Sequence, residues 1–120
     1  MTWESDEFRC FDRDGKAISI TEMATLFELP GYRRIAVTQD MKLHGRKVST
    51  IWLGLDHGYG DESPLIFETM VFGDQGVLDM KRTGTEMEAK IAHADMCAKW
   101  ELEDSMAREI YDELSEGETK

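Results

Sequence analysis

The chain of 120 residues is poor in cysteine, in basic residues and in long apolar runs, and each shortage argues against a class of protein. With only Cys10 and Cys97 it has no disulfide framework, and a reducing cytosol is the expected location. No apolar run approaches the roughly 20 residues that span a membrane, and the first ten residues are too acidic for a signal peptide. The 14 Lys and Arg against 25 Asp and Glu argue against a general binder of nucleic acid or of anionic membranes.

What the chain does contain is enough apolar sequence for one packed domain, followed by a strongly acidic end. Apolar residues make up 41% of the chain, and the length fits a single domain. The net charge is −11, and residues 101–120 carry eight acids and two bases. We therefore predict an α+β domain over residues 1–100 and an acidic amphipathic helical tail over residues 101–120. The tail has four apolar residues at helical spacing, which favours packing on this domain, on a second copy or on a foreign protein: Leu102, Met106, Ile110 and Leu114.

Two capping boxes mark the starts of two helices. Ser19 and Glu22 open a short helix that ends before Pro30, and Thr85 and Glu88 open a long helix. The long helix carries one inward stripe at helical spacing: Ala89, Ala92, His93, Met96 and Trp100.

Alternating apolar residues and short polar loops predict an antiparallel meander between the two helices. Its four strands are expected over residues 32–39, 48–56, 65–72 and 77–81, after a first short strand over residues 8–11. The strand over 48–56 is apolar on both faces, which is typical of a central strand covered on two sides. The predicted fold is α+β: a four-stranded antiparallel meander with a long helix packed across it, a short N-terminal helix and an acidic C-terminal helix.

Two blocks of the sequence are distinctive: STIWLGLDH at residues 49–57 and PLIFETMVF at residues 64–72. They resemble blocks in a family of small uncharacterised proteins encoded by phages, prophages and some bacteria, and the likeness extends from Asp12 to Trp100. Thr83-Gly84 stands where that family usually has an aromatic residue, and the acidic tail is not one of its features. Because no activity is established for the family, the resemblance implies a fold and a phage-related context, with the cytoplasm of a bacterial host as the location.

The first candidate site follows the central strand, where Asp56 and His57 open a glycine-rich loop. Ligand sites are often built from polar side chains in such loops. Together with Asp61, Glu68 and His93, these side chains would offer oxygen and nitrogen ligands to a divalent metal, although no H-x-x-x-H or C-x-x-C spacing is present. The alternative is structural: Asp56 caps the turn and His57 bonds to loop backbone.

Glu68 and His93 also have structural explanations. Glu68 interrupts an apolar strand, so its carboxylate needs a partner or a raised pKa, and Arg34 is the partner available. The other role for Glu68 is to read a ligand or to act in catalysis. His93 is either a hydrogen-bonded core histidine or a ligand. The candidate ligand or partner surface as a whole has eight residues: Arg34, Trp52, Asp56, His57, Tyr59, Asp61, Glu68 and His93.

Three functions from different classes fit these observations. The favoured prediction is a phage-type accessory protein that binds without catalysis, either occupying a host bacterial protein or sequestering a small nucleotide-like signal; its anti-defence role rests on the resemblance. The second is a small metal-dependent hydrolase that uses Asp56, His57, Glu68 and His93. The third is a structural or assembly accessory protein, for which a homodimer is expected. The favoured prediction includes no catalytic residue, no metal and no cofactor.

Overall fold

The computed structural model of the chain describes residues 9–40, 45–58 and 64–102. They form an α+β fold with one four-stranded antiparallel sheet, a two-stranded hairpin and two helices, which confirms the predicted fold class at that level. The predicted C-terminal helix lies outside the described residues. In chain order the elements are β1 Cys10–Phe11, β2 Ala17–Ile18, α1 Ile20–Phe27, β3 Arg34–Gln39, β4 Lys47–Trp52, β5 Phe67–Gly73, β6 Gly76–Thr83 and α2 Glu86–Lys99.

The sheet is the predicted meander, with strand order β3-β4-β5-β6 and antiparallel pairing throughout. β4 ends at Trp52 instead of continuing to residue 56, and the chain turns at Gly54. Gly54 has a φ of 84°, and a Cβ there would lie 2.7 Å from Sδ of Met23 in α1. Only glycine combines that backbone conformation with so close an approach. This glycine therefore lets α1 pack against the end of β4.

Helix α2 packs across all four strands and covers one face of the sheet. Thr85 and Glu88 form the predicted capping box at its start, where the Glu88 N–H donates to the Thr85 side chain. The buried residues of α2 follow the predicted stripe, with Cys97 in addition: Ala89, Ala92, His93, Met96 and Cys97.

Helix α2 ends in a Schellman motif, in which the residue after the C-cap takes the left-handed conformation. That residue is Glu101, with a φ of 64°, at a position where glycine is usual. Its N–H donates to the Ala98 carbonyl at 3.2 Å, and the Leu102 N–H donates to the Cys97 carbonyl at 2.7 Å. Leu102 is 5% exposed and belongs to the same core cluster as Cys97. Leu102, two residues past the predicted boundary at residue 100, is thus still packed in the core.

Directly paired residues on antiparallel strands project to the same side, so the strand register defines two faces of the sheet. The face under α2, here called the covered face, holds the buried side chains Ala36, Thr38, Val48, Thr50, Trp52, Phe67, Thr69 and Val71. The opposite face, here called the open face, has no described element packed on it. Three rows across the strands form the open face: Arg34, Ile51, Glu68 and Arg82; Val37, Ser49, Met70 and Met80; and Gln39, Lys47, Phe72 and Val77.

A β-bulge between Arg34 and Ala36 changes the predicted faces of β3. Strict alternation places Ile35 with Val37 and Ala36 with Arg34. In the structure Ile35 and Ala36 are both buried, at 1% and 3% exposure, whereas Arg34 and Val37 lie on the open face. One extra residue in the strand shifts the alternation, so the sequence pattern assigned Ile35 and Val37 to the same face wrongly.

The N-terminal hairpin is tied to the start of α2 through Arg13. Its guanidinium makes a two-point contact with the Glu86 carboxylate, with N–O distances of 3.0 and 2.7 Å, and donates to the Tyr32 carbonyl at 3.1 Å. Burial raises the pKa of Glu86, but Arg13 and Lys90 outweigh it and hold that pKa below its usual value. This ion pair joins residues that are 73 positions apart in the sequence.

Candidate functional site

His93 lies at the centre of a buried polar network on the covered face. Its Nε2 lies 2.9 Å from Thr38 Oγ1, its Nδ1 lies 2.8 Å from Thr50 Oγ1, and Thr50 Oγ1 lies 2.8 Å from Thr69 Oγ1. A neutral imidazole has one donor and one acceptor, so hydroxyl groups satisfy both ring nitrogens. Burial lowers the pKa of His93 to about 4, because the charged form would lose its water. His93 is therefore a neutral, hydrogen-bonded core histidine, the structural alternative of the two.

Glu68 lies on the open face and is paired with Arg82, so the predicted pairing with Arg34 is wrong. Arg82 Nε donates to Glu68 Oε2 at 3.1 Å, and the Glu68 side chain is 11% exposed. The register explains this pairing, because Arg34 and Glu68 stand on either side of Ile51, whereas Arg82 is directly opposite Glu68. Charged residues directly opposite each other on paired strands are the ones that interact.

The sequence contained only part of the signal for Arg82. Gly73 pairs with Gly76 at the β5–β6 turn. If the two strands kept this register without a shift, Lys81 would lie opposite Glu68. A register shift between Val71 and Phe72 moves the pairing by one residue and brings Arg82 there instead. The turn therefore predicts a basic partner from β6, but not which one.

The side chains proposed for a hydrolase are not brought together. Glu68 projects from the open face and His93 projects from α2 onto the covered face, so the sheet itself separates them. Among residues 9–40, 45–58 and 64–102, no group of three or more His, Cys, Asp and Glu side chains is placed to hold a metal ion. The described part of the chain offers these residues no common centre.

Asp56 organises the chain after β4. Its Oδ1 accepts from the N–H groups of Gly58 and Leu65 at 2.7 and 2.9 Å, and its Oδ2 lies 3.0 Å from a guanidinium nitrogen of Arg9. Burial raises the pKa of Asp56, but these N–H groups and Arg9 outweigh it, so the pKa lies below its usual value. The contacts match the structural alternative, in which Asp56 closes the loop.

His57 is exposed, and its Nδ1 lies 2.9 Å from the carbonyl oxygen of Leu55. This short-range bond to backbone is also the one that the structural alternative expects. Tyr59 and Asp61 lie outside the described residues.

Trp52 is a core residue. It is 0% exposed, and its indole N–H donates to the Phe11 carbonyl at 2.9 Å. Its ring packs against Phe27 and Tyr32, with centroid distances of 5.1 and 4.9 Å. A side chain that is enclosed in this way is not accessible to a ligand or a partner.

Leu102 belongs to the predicted partner-binding stripe of the tail, but the structure places it in the core. It packs in one cluster with Val48, Val71 and Met96. Leu102 therefore anchors the chain to its own domain. The rest of that stripe, Met106, Ile110 and Leu114, lies outside the described residues.

The open face is an exposed apolar surface. Of its residues, only Arg34 and Glu68 were among the candidates predicted from the sequence. Val77 and Met80 are 53% and 43% exposed. Four more apolar side chains of this face are half-buried: Val37, Ile51, Met70 and Phe72. The expectation of a central strand covered on two sides is wrong for the described elements, because β4 ends at Trp52 and carries Lys47, Ser49 and Ile51 on the open face. The sequence signal for this surface lies in β5, where apolar Met70 and Phe72 alternate with buried Thr69 and Val71.

The charges on the open face are mainly positive. Arg34 is exposed, and Lys47 extends its Nζ to 5.3 Å from the centroid of the Phe72 ring. Arg82 is paired with Glu68, the one acidic side chain in the three rows. The face thus combines an apolar centre with an excess of two positive charges.

A second exposed apolar strip follows the outer side of α2. Met87 and Ile91, four residues apart, are 73% and 55% exposed, and the exposed alanines Ala94 and Ala98 continue the strip. The nearby lysines are already paired: Lys90 with Glu86 at 3.4 Å and Lys99 with Asp79 at 2.7 Å. We call this surface the α2 strip; it lacks the positive excess of the open face.

A cavity of about 380 Å³ lies between the N-terminal hairpin and α1. Its two carboxylates belong to Asp12, which accepts from backbone N–H groups of the turn, and to Glu22, which accepts from the Ser19 N–H. The predicted site residues do not line it. Its polar groups belong to the turn of the hairpin and to α1.

Comparisons of the chain with protein-family models, with curated proteins and with solved structures gave no match. The resemblance to phage-encoded proteins therefore stays a prediction. Neither described helix is long and apolar enough to cross a membrane.

Proposed function

We propose that this protein is a non-catalytic binding protein that holds a protein partner on its open face. The observation that carries the proposal is the apolar centre of that face, where Met80 and Val77 are 43% and 53% exposed beside half-buried Met70 and Phe72. Contiguous exposed apolar surface bordered by polar residues is characteristic of sites of protein–protein contact.

The positions of the polar candidate residues support a non-catalytic role. A general base must reach the proton that it removes, but His93 is 3% exposed and both of its ring nitrogens are bonded to threonines. Asp56 is occupied with loop backbone, and Glu68 with Arg82. Each group has a structural task in a different part of the fold.

The charges of the open face define the chemistry of the expected partner. Arg34, Lys47 and Arg82 outnumber Glu68, so an apolar segment bordered by carboxylates is complementary to the face. The resemblance to phage-encoded proteins points to a host bacterial protein in the cytoplasm, with occupation of a defence protein as the most specific form. The defence protein follows from the resemblance to the family, and the apolar, positively charged face supports a protein partner.

Two exposed methionines provide a matched test. Met80 lies on the open face and Met87 lies on the α2 strip. Full-length wild type, Met80→Glu and Met87→Glu, each checked for an unchanged melting transition, would be immobilised and exposed to bacterial lysate, and the captured proteins identified by mass spectrometry. We expect a protein that wild type and Met87→Glu retain and that Met80→Glu loses by about tenfold or more, because a carboxylate then lies within the apolar contact. Equal capture by all three chains, or no capture by wild type, would overturn the proposal.

A further inference from the structure

The last described residue, Leu102, lies near one end of the sheet. Leu102 packs with Val48 and Val71, which are paired with each other on the covered face. The next pair toward the end of the sheet is Lys47 with Phe72, on the open face. Successive strand residues lie about 3.4 Å apart along the strand and point to opposite faces, so Leu102 lies near the end of the sheet at which Lys47 and Phe72 border the open face.

The chain beyond this point has the composition of a partner for the open face. Residues 103–120 contain seven acids and two bases. Met106, Ile110 and Leu114 recur every four residues, which predicts an apolar stripe on a helix. A helix over residues 104–115 would be about 18 Å long, comparable to the length of about 20 Å of a six-residue strand. It would be long enough to lie across the apolar centre of the face.

Charge distinguishes between the two exposed apolar surfaces. The open face has an excess of positive charge from Arg34 and Lys47, whereas the lysines beside the α2 strip are paired with Glu86 and Asp79. An acidic segment is attracted to the first surface and gains little from the second.

We infer that the acidic tail, residues 103–120, docks on the open face of its own chain. The contact places Met106, Ile110 and Leu114 over the apolar centre and the tail carboxylates near Arg34 and Lys47. A short connection gives the tail an effective concentration in the millimolar range, so a weak contact is sufficient. If the open face also binds a partner, as proposed above, the tail is a built-in competitor that the partner must displace; this consequence rests on the proposed function, but the docking itself does not.

The methionines of the chain report on both surfaces. Met70 and Met80 lie on the open face, Met87 lies on the α2 strip, and Met96 is a buried residue of α2. A nitroxide spin label attached to full-length Ser115→Cys would broaden the NMR signals of isotope-labelled methionine methyl groups near the tail. Cys10 and Cys97 are 2% and 0% exposed, and wild type treated with the same reagent controls for labelling at these positions.

We expect the spin label to reduce the Met70 and Met80 signals at least twofold and to leave Met87 unchanged, independently of protein concentration. Lys47→Glu in the labelled chain should restore most of the lost intensity, because the tail then meets a negative charge. The matched control is Lys16→Glu, an exposed position on the N-terminal hairpin with the same change of charge, which should restore none.

Three outcomes would overturn the inference. Broadening of Met87 instead would place the tail on the α2 strip, and broadening of none of these methionines would place it off both surfaces. Broadening that also appears when spin label and isotope label are on different molecules would assign the contact to the tail of a second copy. Because the lysate experiment uses Met80→Glu and Met87→Glu without any label on the tail, failure of the proposed function and failure of this inference are distinguishable.

Discussion

Neither face of the sheet has the composition usual for a sheet with one side in water. The covered face is more polar than usual, and the open face is more apolar. Such a sheet carries apolar residues toward its helix and polar residues outward. Here three threonines of the covered face and His93 of α2 form a polar cluster, which is satisfied because each member bonds to another: Thr38, Thr50, Thr69 and His93. The open face carries Met80 and Val77, each about half exposed. The composition of the open face is therefore suited to a second covering, whereas the polar cluster between α2 and the covered face is satisfied by its own members.

The largest contrast between the faces is expected from two phenylalanines on β5. Phe67 is 0% exposed on the covered face, and Phe72 is half-buried on the open face. Phe67→Ala should lower the free energy of unfolding by about 3–5 kcal/mol, because it leaves a cavity in a packed core. Phe72→Ala should lower it by about 1 kcal/mol, because part of that ring already meets water. Chemical denaturation of the full-length variants measures both, and equal losses would abolish the distinction between the faces.

Lowering the pH should reduce the free energy of unfolding through His93, which packs on the covered face. Its pKa is about 4 in the folded chain against a usual value of 6.5. Between these values the unfolded chain binds a proton that the folded chain does not, so the free energy of unfolding falls as the pH is lowered through this window. The loss should approach about 3 kcal/mol at the lower end of the window.

Denaturant titrations between neutral pH and pH 4 would measure the loss at His93 in three chains. His93→Gln should remove this step of the pH dependence, and His57→Gln, at an exposed histidine, should retain it. Carboxylates with lowered pKa values, such as Asp56 and Glu86, also lose stabilising contacts in acid. The measurement is therefore the difference between wild type and His93→Gln, and identical pH profiles for these two chains would contradict the assignment.

A smaller effect is expected from the ion pair on the open face. Arg82→Met would leave the Glu68 carboxylate, whose side chain is 11% exposed, without its partner, at a cost of about 1–2 kcal/mol. Arg34→Met, on the same face but one strand further away, should change the free energy of unfolding by less than about 0.5 kcal/mol. Comparable losses in the two variants would mean that the register does not decide which arginine stabilises Glu68.

Much of the fold could be predicted because it is encoded locally. The capping boxes at Ser19 and Thr85 fix the starts of both helices within a few residues of sequence. Short loops and alternation likewise indicate the meander, since neighbouring strands joined by tight turns pair with each other. The inward position of His93 follows from helical spacing alone.

The features that determine which side chains share a face of the sheet are not encoded locally in the sequence. The bulges at Arg34/Ala36 and at Val71/Phe72 change the faces of β3 and the partner of Glu68, and alternation cannot reveal either because each depends on the opposing strand. Grouping Glu68 with His93 in one centre required knowing which face each side chain takes. Only the register supplies that information.

The smallest expected effect concerns the point at which the chain leaves the covered face. Glu101 holds a left-handed conformation, which a side chain with a Cβ adopts at a cost and glycine adopts freely. Glu101→Gly should therefore raise the free energy of unfolding by about 0.5–1 kcal/mol, as measured by chemical denaturation. Glu101→Ala is the matched control, because it keeps the Cβ and removes only the carboxylate at the negative end of the α2 dipole.

Equal gains from both substitutions at Glu101 would attribute the cost to the carboxylate and contradict the assignment of backbone strain. A gain with glycine alone would mean that burial of Leu102 on the covered face, at 5% exposure, offsets strain one residue earlier. The covered face would then fix the position from which the acidic tail departs. Glu101 and Leu102 would then connect the packing of the covered face to the point at which the tail begins.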